Sequence, residues 1–304
     1  MIEESLRIRL EALNRGPIPA QAVAPRTNGE AASAAGRATP RVDPSPPPRP
    51  AAPTTTKPTP GLLRSGDIVE TAHGPHLRIR LQLEHLWPNG AQLITSRQDF
   101  LQSQLAAAQQ AIEPTLVLDS EFASLVGALP DRAVGLDLET CGLAGSALFL
   151  IGLFRQIDGH PTIELLLARN YSEEPAVLAT LWQTIADHHV LLTFNGKTFD
   201  WPMVIERSVR HRLQPAAAPS NFLHIDILHH ARRRWRKQLP NCRLQTLEQH
   251  VCRRHRTDDI PGHRIPAVYA DYVRTGFERD MDSVLHHNAL DLVTLFDLAL
   301  RLAG

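Results

Sequence analysis

The stretch Ala133-Val134-Gly135-Leu136-Asp137-Leu138-Glu139-Thr140 constrains this chain more than any other. Its apolar first half belongs in a core strand. Residues two apart in a strand point to one face, so Asp137 and Glu139 aim together while Leu138 faces the opposite layer. Two acids at the end of a core strand need a reason. A solvated strand end supplies one, so the pair alone is open to both a functional and a plain reading.

Two later segments narrow the choice. Val190-Leu191-Leu192-Thr193-Phe194 is a second apolar run rich in strand formers, and Asn195-Gly196-Lys197-Thr198-Phe199-Asp200-Trp201-Pro202 follows it. Asn-Gly marks a turn and proline suits a first helical turn, which predicts a strand-to-helix junction at Asp200. A helix cap is the plainer role for an Asp there. The third segment, His286-His287-Asn288-Ala289-Leu290-Asp291, opens a helix in which Leu290, Val293, Leu298 and Leu302 recur at roughly helical spacing. His287 and Asp291 are four apart and share a face of that helix, whereas His286 is turned away.

In this order, the Asp-x-Glu strand, the Asn-Gly-Lys-x-Phe-Asp turn and the His-Asn-x-x-Asp helix resemble the three exonuclease motifs of the DEDD group within the ribonuclease H-like superfamily. The chain is similar to the bacterial YprB-like ribonuclease H family. Connecting stretches agree: Gly145 to Leu153, Asp226-Ile227-Leu228-His229 before a basic helix, and Asp258-Asp259-Ile260-Pro261-Gly262. The likeness runs from near Gly66 to Leu302 and is densest from Ala133 onward.

The resemblance implies 3′–5′ exonuclease chemistry on DNA or RNA, with two Mg²⁺ or Mn²⁺ ions. It implies Asp137 as the bridging ligand, Glu139 on one ion and close to the attacking water, and Asp200 and Asp291 as the remaining ligands. Carboxylates are hard donors that select such cations, and two ions about 4 Å apart stabilise both the attacking and the leaving oxygen of a phosphodiester. Four crowded acids without cations raise one another's pKa values. His287 is the matching general base, because imidazole titrates near neutral pH. His286 stands second, since proofreading-type exonucleases set the His five residues before the last Asp. Asn195, Lys197 and Asn288 lie within the motifs and are candidates for substrate contact, although Lys197 is equally an exposed turn lysine.

Charge gives no hint of a partner, because 32 basic residues cancel 32 acidic ones. No apolar run approaches the roughly 18 residues that would suggest a membrane span, and Met1-Ile2-Glu3-Glu4-Ser5 lacks the features of a signal peptide. Three cysteines fit a reducing compartment, so the expectation is a cytoplasmic protein with no membrane partner.

The organisation expected is threefold. Residues 1–60 hold half of the chain's 24 prolines and read as a disordered Pro/Ala-rich tail, with Ile2, Leu6, Leu10 and Leu13 able to form a short helix. Residues 61–130 read as a β-rich lead-in and connecting helix. Within it Leu77, Ile79, Leu81 and Leu83 alternate with His76, Arg78, Arg80 and Gln82, which predicts a hairpin turning at His73-Gly74-Pro75 beside the main sheet, its polar face solvated. Residues 131–304 read as a ribonuclease H-like α/β domain. Strands joined by short turns and then a helix–strand alternation predict a mixed sheet flanked by helices.

Positive charge is uneven. Arg232, Arg233, Arg234, Arg236, Lys237, Arg243, Arg253, Arg254 and Arg256 face a single acid, Glu248, between Ala231 and Arg256. With Trp235 among them they can hold phosphates and stack on a base, Arg232, Arg233 and Arg236 foremost; a solvated helix face is the alternative. Cys242, His250, Cys252 and His255 lack the close Cys pair of structural zinc sites, and Leu244, Leu247 and Val251 suit an ordinary amphipathic helix. Asp226 ends a strand and invites a fifth-ligand reading, but the resemblance implies either a residue that supports the ligands or a helix cap, and Cys141 reads as a packing residue. A non-catalytic nucleic-acid-binding module of nuclease ancestry would have shed a carboxylate, and an endonuclease of the same superfamily is the nearer rival.

Overall fold

The computed structural model describes residues 54–56, 61–110, 119–142, 145–213 and 222–304. The short helix expected over residues 2–13 and most of the expected tail lie outside them. In chain order the elements are β1 (Thr54–Thr56), β2 (Asp67–Thr71), β3 (Gly74–Gln82), α1 (Leu83–Leu86), α2 (Gly90–Gln110), α3 (Ser120–Ala128), β4 (Ala133–Thr140), β5 (Leu148–Ile157) and β6 (His160–Leu167). There follow α4 (Glu174–Ile185), β7 (Val190–Thr193), α5 (Asp200–Arg210), β8 (Leu223–Asp226), α6 (Ile227–Trp235), α7 (Leu244–Leu247), β9 (Arg254–Arg256), α8 (Ile265–Thr275) and α9 (Arg279–Ala303).

Seven strands form one mixed sheet in the order β2-β3-β6-β5-β4-β7-β8. Pairs from β2 to β4 are antiparallel; β4 with β7 and β7 with β8 are parallel. The change follows from the connections, because short turns close antiparallel neighbours whereas helices carry the parallel crossovers. β5 is the central strand, and its first seven residues, Leu148 to Phe154, are all buried, as in a strand covered on both faces.

The β2–β3 hairpin does not merely flank this sheet. β3 pairs with β6 from Leu77↔Leu167 to Gln82↔Thr162 and extends the sheet by two strands. Its polar face also departs from expectation. His76 is fully buried, and Arg78 and Arg80 turn to the buried carboxylate of Glu164 on β6, at 3.9 and 2.9 Å. Arg155 on β5 reaches the same acid at 2.7 Å.

The last helix runs through the core of the unit Ala51–Gly304. Eighteen of the 25 residues of α9 are buried, all round its circumference, so it is an interior helix rather than an amphipathic one. Phe296 stacks on Phe154 of β5 at 4.0 Å between ring centroids. This helix begins at Arg279, seven residues before the start expected at His286. Met281, Val284 and Leu285 continue its buried side upstream, and Asp280 and Asp282 suit the positive end of a helix. The His-Asn-x-x-Asp motif therefore lies in regular helix interior, where four-residue spacing fixes which side chains share a face.

The entering chain is tied to that helix start. Asp282 accepts hydrogen bonds from the Gly61 and Leu63 amides at 2.6 and 2.9 Å, and Arg64 pairs with Glu278 at 2.7 Å. β1 pairs in parallel with β9, Thr54 to Arg254 and Thr56 to Arg256, within the unit Ala51–Gly304.

Candidate metal centre

Asp137 faces Gly152 across the β4–β5 ladder, and α9 crosses directly above them. Asn288 on α9 donates through Nδ2 to Asp137 Oδ2 at 2.7 Å. A Cβ on residue 152 would stand 1.9 Å from Asn288 Oδ1 and 2.7 Å from Leu292 Cδ1, so only glycine lets the helix come this close. Asp200 is the first residue of α5. The turn ahead of it is held by Asp226, which accepts from the Asn195 and Lys197 amides at 2.8 and 3.2 Å and also from the Leu228 amide at the start of α6. Asn195 has the left-handed φ of +66°, which asparagine tolerates better than most residues. Asp226 is thus both a helix cap and the anchor of the turn.

The four acids feel one another. Asp137 is half-buried but densely surrounded, and its carboxyl is pushed well above the usual range, first by loss of water and then by Asp291, Glu139 and Asp200. Glu139 is raised to about 8: burial dominates and Asp291 and Asp200 add to it, against His287 and an Asn288 hydrogen bond. Burial and the nearby Asp226 raise Asp200 to about 7, opposed by backbone hydrogen bonds. Protein groups alone do not satisfy this set. Asp291 Oδ1 is buried and accepts no aligned hydrogen bond, although a guanidinium lies against it. Hard oxygen donors, mutual repulsion and an unused buried lone pair together fit divalent cations.

His287 stands beside this set. Its Nε2 lies 3.6 Å from Asp291 Oδ2, and its Nδ1 donates to Asp259 Oδ1 at 2.8 Å, since a carboxylate only accepts. Burial works to lower its pKa, but Asp291, the Asp259 hydrogen bond and Glu139 outweigh that and raise it to about 9. His286 is buried with neither ring nitrogen hydrogen-bonded, and loss of water lowers it to about 4.

A groove of about 560 Å³ opens over Asp137 and Asp291 and is further bounded by Asn195, Arg232, Asn241 and Arg243. Arg232 therefore shares the groove with Asp137 and Asp291, but the basic segment does not act as one face. Arg233 is engaged by His230 Nδ1 at 2.6 Å and stands 3.8 Å from Asp119. Arg236 is exposed at the end of α6, and Lys197 is exposed in its turn. Arg254 and Arg256 are buried in ion pairs, so they leave the solvated basic set: Arg254 binds Asp297 and Thr294 and lies over the Trp87 ring, while Arg256 binds Glu248, Asp259 and Asp291. The Cys242–His255 stretch is an α turn followed by a π turn, Glu248–Cys252, rather than one regular helix. Cys252 packs in the core.

Among the described residues, the His, Cys, Asp and Glu donors that all lie within 4.8 Å of one another are those of Asp119, Glu121 and His230, not the motif acids. That group already has its own cation. Accepting from Arg233 at Nδ1 leaves the His230 proton on Nε2, which faces Glu121 at 2.9 Å.

Asp259 and Arg256 are the two site neighbours whose roles the sequence did not disclose. Asp259 lay in a recognised connecting stretch, but a separation of 28 residues from His287 carries no periodic signal.

The family profile of the RNase_H superfamily matches residues 134–303. The uncharacterized protein YprB of Bacillus subtilis (strain 168) is 33% identical over 172 residues, which cover 55% of this chain and 41% of that protein. The chain thus spans about two-fifths of that relative's length. Among solved structures, the family B DNA polymerase of the hyperthermophilic archaeon Pyrobaculum calidifontis aligns over 78% of this chain and 45% of its own, at 12% identity and a TM-score of 0.45, too loose to bear on function. With a profile match over more than half of its length, the chain belongs to the RNase_H superfamily, and within it is similar to YprB.

Proposed function

We propose that this protein is a metal-dependent nuclease that removes nucleotides from 3′ ends, with Asp137, Glu139, Asp200 and Asp291 holding two Mg²⁺ or Mn²⁺ ions. The observation that carries this reading is a carboxylate cut off from water and crowded by other acids: burial first, then Asp291, Glu139 and Asp200, push the Asp137 carboxyl well above its ordinary range. Bound divalent ions supply charge stabilisation to the attacking and leaving oxygens of a phosphodiester.

The chain's own groups do the rest. Asn288 holds Asp137 in one orientation through its Nδ2 hydrogen bond. With bound cations offsetting the Asp291 and Glu139 charges that otherwise keep the ring protonated, His287 would receive the proton of the attacking water at Nε2, the ring nitrogen on the Asp291 side. Arg232, at the rim of the groove over Asp137 and Asp291, takes a substrate phosphate, and Asn195 bounds the same space. Lys197 is a second phosphate contact, exposed in the turn before Asp200.

The decisive assay uses 5′-labelled single- and double-stranded DNA and RNA with Mg²⁺, Mn²⁺ or EDTA. The expected result is a ladder of products shortened from the 3′ end, absent in EDTA. Internal fragments from the outset would make the enzyme an endonuclease. No cleavage of any substrate with either ion would sink the proposal.

A further inference from the structure

We propose that Arg256 and Asp259 are positioning residues of the carboxylate site, fixing Asp291 and His287 relative to each other through one buried guanidinium. The proposal rests on the nuclease reading above. Three acids converge on Arg256: Glu248 Oε2 on Nε at 2.5 Å, Asp259 Oδ2 on Nη1 at 3.4 Å, and Asp291 Oδ1 on Nη2 at 2.6 Å. Asp259 spends its other oxygen on His287 Nδ1, at 2.8 Å. A closed path therefore runs Asp291–Arg256–Asp259–His287, and the His287 Nε2 faces back to Asp291 at 3.6 Å.

Each link has the chemistry of positioning rather than of reaction. A carboxylate on Nδ1 fixes both the tautomer and the ring plane of a histidine that works through Nε2. A planar guanidinium can meet three acids in different directions, which a lysine ammonium on a flexible stem does less well. The Arg256 contact with Asp291 is close in distance but not aligned as a hydrogen bond. It therefore supplies positive charge and steric restraint to Asp291 while leaving the Oδ1 lone pairs for a cation. Glu248, itself buried, immobilises the guanidinium from the other side.

The test uses the full chain as wild type, Asp137→Asn, Arg256→Lys, Asp259→Asn and the double variant Arg256→Met/Glu248→Gln. The double variant is included because loss of the arginine alone strands three buried acids and endangers the fold. Mn²⁺ binding is measured by titration calorimetry, and kcat and KM on 5′-labelled single-stranded DNA and RNA oligonucleotides, with melting temperature recorded throughout. Arg256→Lys and the double variant are expected to weaken Mn²⁺ binding about 10- to 100-fold, the usual cost of losing a partner of a metal ligand. Asp259→Asn is expected to lower kcat by about 10- to 100-fold at unchanged KM and nearly unchanged Mn²⁺ affinity. Wild-type affinity and kcat in both single variants would overturn the proposal, as would losses that merely track the fraction of unfolded protein. A wild type that binds no Mn²⁺, or binding that survives Asp137→Asn, would instead overturn the nuclease reading and take this inference with it.

Discussion

Glu174, at the start of α4, accepts hydrogen bonds from the Leu148 amide at 2.8 Å, from Arg207 Nε and Nη2 at 2.6 Å each, and shares a contact with His211 Nε2 at 2.8 Å. Asp137 and Glu139, on β4, are both met by Asn288 of α9. Both groups are carboxylates pushed up by loss of water, and their protonation answers differently. Burial would raise Glu174, but Arg207, the Leu148 amide and His211 hold it below the ordinary carboxylate range. Asp137, Glu139 and Asp200 move the other way. A structural acid comes with its cation and donors, whereas an acid reserved for a ligand is short of them.

The largest effect that tests this contrast is in Asp137→Asn. Cleavage should fall on the order of a thousandfold or more, while the cation-free protein should keep or gain stability as repulsion is relieved. A pH series sharpens it. The pKa values of about 8 and about 7 for Glu139 and Asp200 exceed the unfolded values of roughly 4.3 and 3.9, so the folded state binds more protons. Their contribution to stability is complete below about pH 4 and is lost as pH rises through about 7 to 8. Glu174, lowered instead, contributes above about pH 4.5 and loses that contribution as pH falls. Thermal melts in EDTA should therefore fall toward pH 8, and Mn²⁺ should restore them. Melts in EDTA that do not fall toward pH 8 would break the contrast.

Next comes the choice between the two histidines. A general base contributes about 10²- to 10⁴-fold, so His287→Ala should cost that much turnover and His286→Ala little, with the deficit shrinking at higher pH as hydroxide replaces the base. A larger loss in His286→Ala would assign the five-residue spacing of the proofreading enzymes to this site.

On the structural side of the comparison, Arg207→Met leaves Glu174 buried with half its partners. It should destabilise by about 3 to 5 kcal/mol in urea unfolding, with specific activity per folded molecule changed far less than in Asp137→Asn. A smaller effect, on placement alone, is expected for Gly152→Ala. The added methyl displaces Asn288 from Asp137, and kcat should drop by about 10- to 100-fold while the fold survives.

What was readable in the sequence divides along the same line. Alternation along β4, the Asn-Gly turn and the uniform apolar run of β5 are local patterns, and they marked out the strands, the Asp200 junction and the mixed pairing. The partnerships were not local. Alternation places His76 on a solvated face because it gives the side of a strand and not what covers it; in the fold His76 is fully buried. Arg254 and Arg256 read as part of a basic face because their acids, Asp297 and Asp291, are about 40 residues away along the chain. The motif predicts a helix start at His286, whereas Met281, Val284 and Leu285 already begin the buried stripe of α9. Composition likewise separated residues 1–60 from the rest, whereas Thr54–Thr56 pair with the strand that carries Arg256.

That last pairing gives the smallest and most discriminating prediction. Removing residues 1–50 takes away nothing from the unit Ala51–Gly304, and specific activity should stay within about a few-fold of the full chain. Removing residues 1–60 also deletes β1 and exposes one side of β9. A backbone hydrogen bond contributes about 0.5 to 1.5 kcal/mol net, so a three-residue ladder is worth a few kcal/mol at most and the fold should persist. The loss falls on Arg254–Arg256, and through Arg256 on Asp291. The shorter chain should therefore bind Mn²⁺ more weakly than the 51–304 chain, by up to about tenfold, with a small drop in melting temperature. Identical Mn²⁺ affinity in the two truncations would show that β9 holds Arg256 in place without β1.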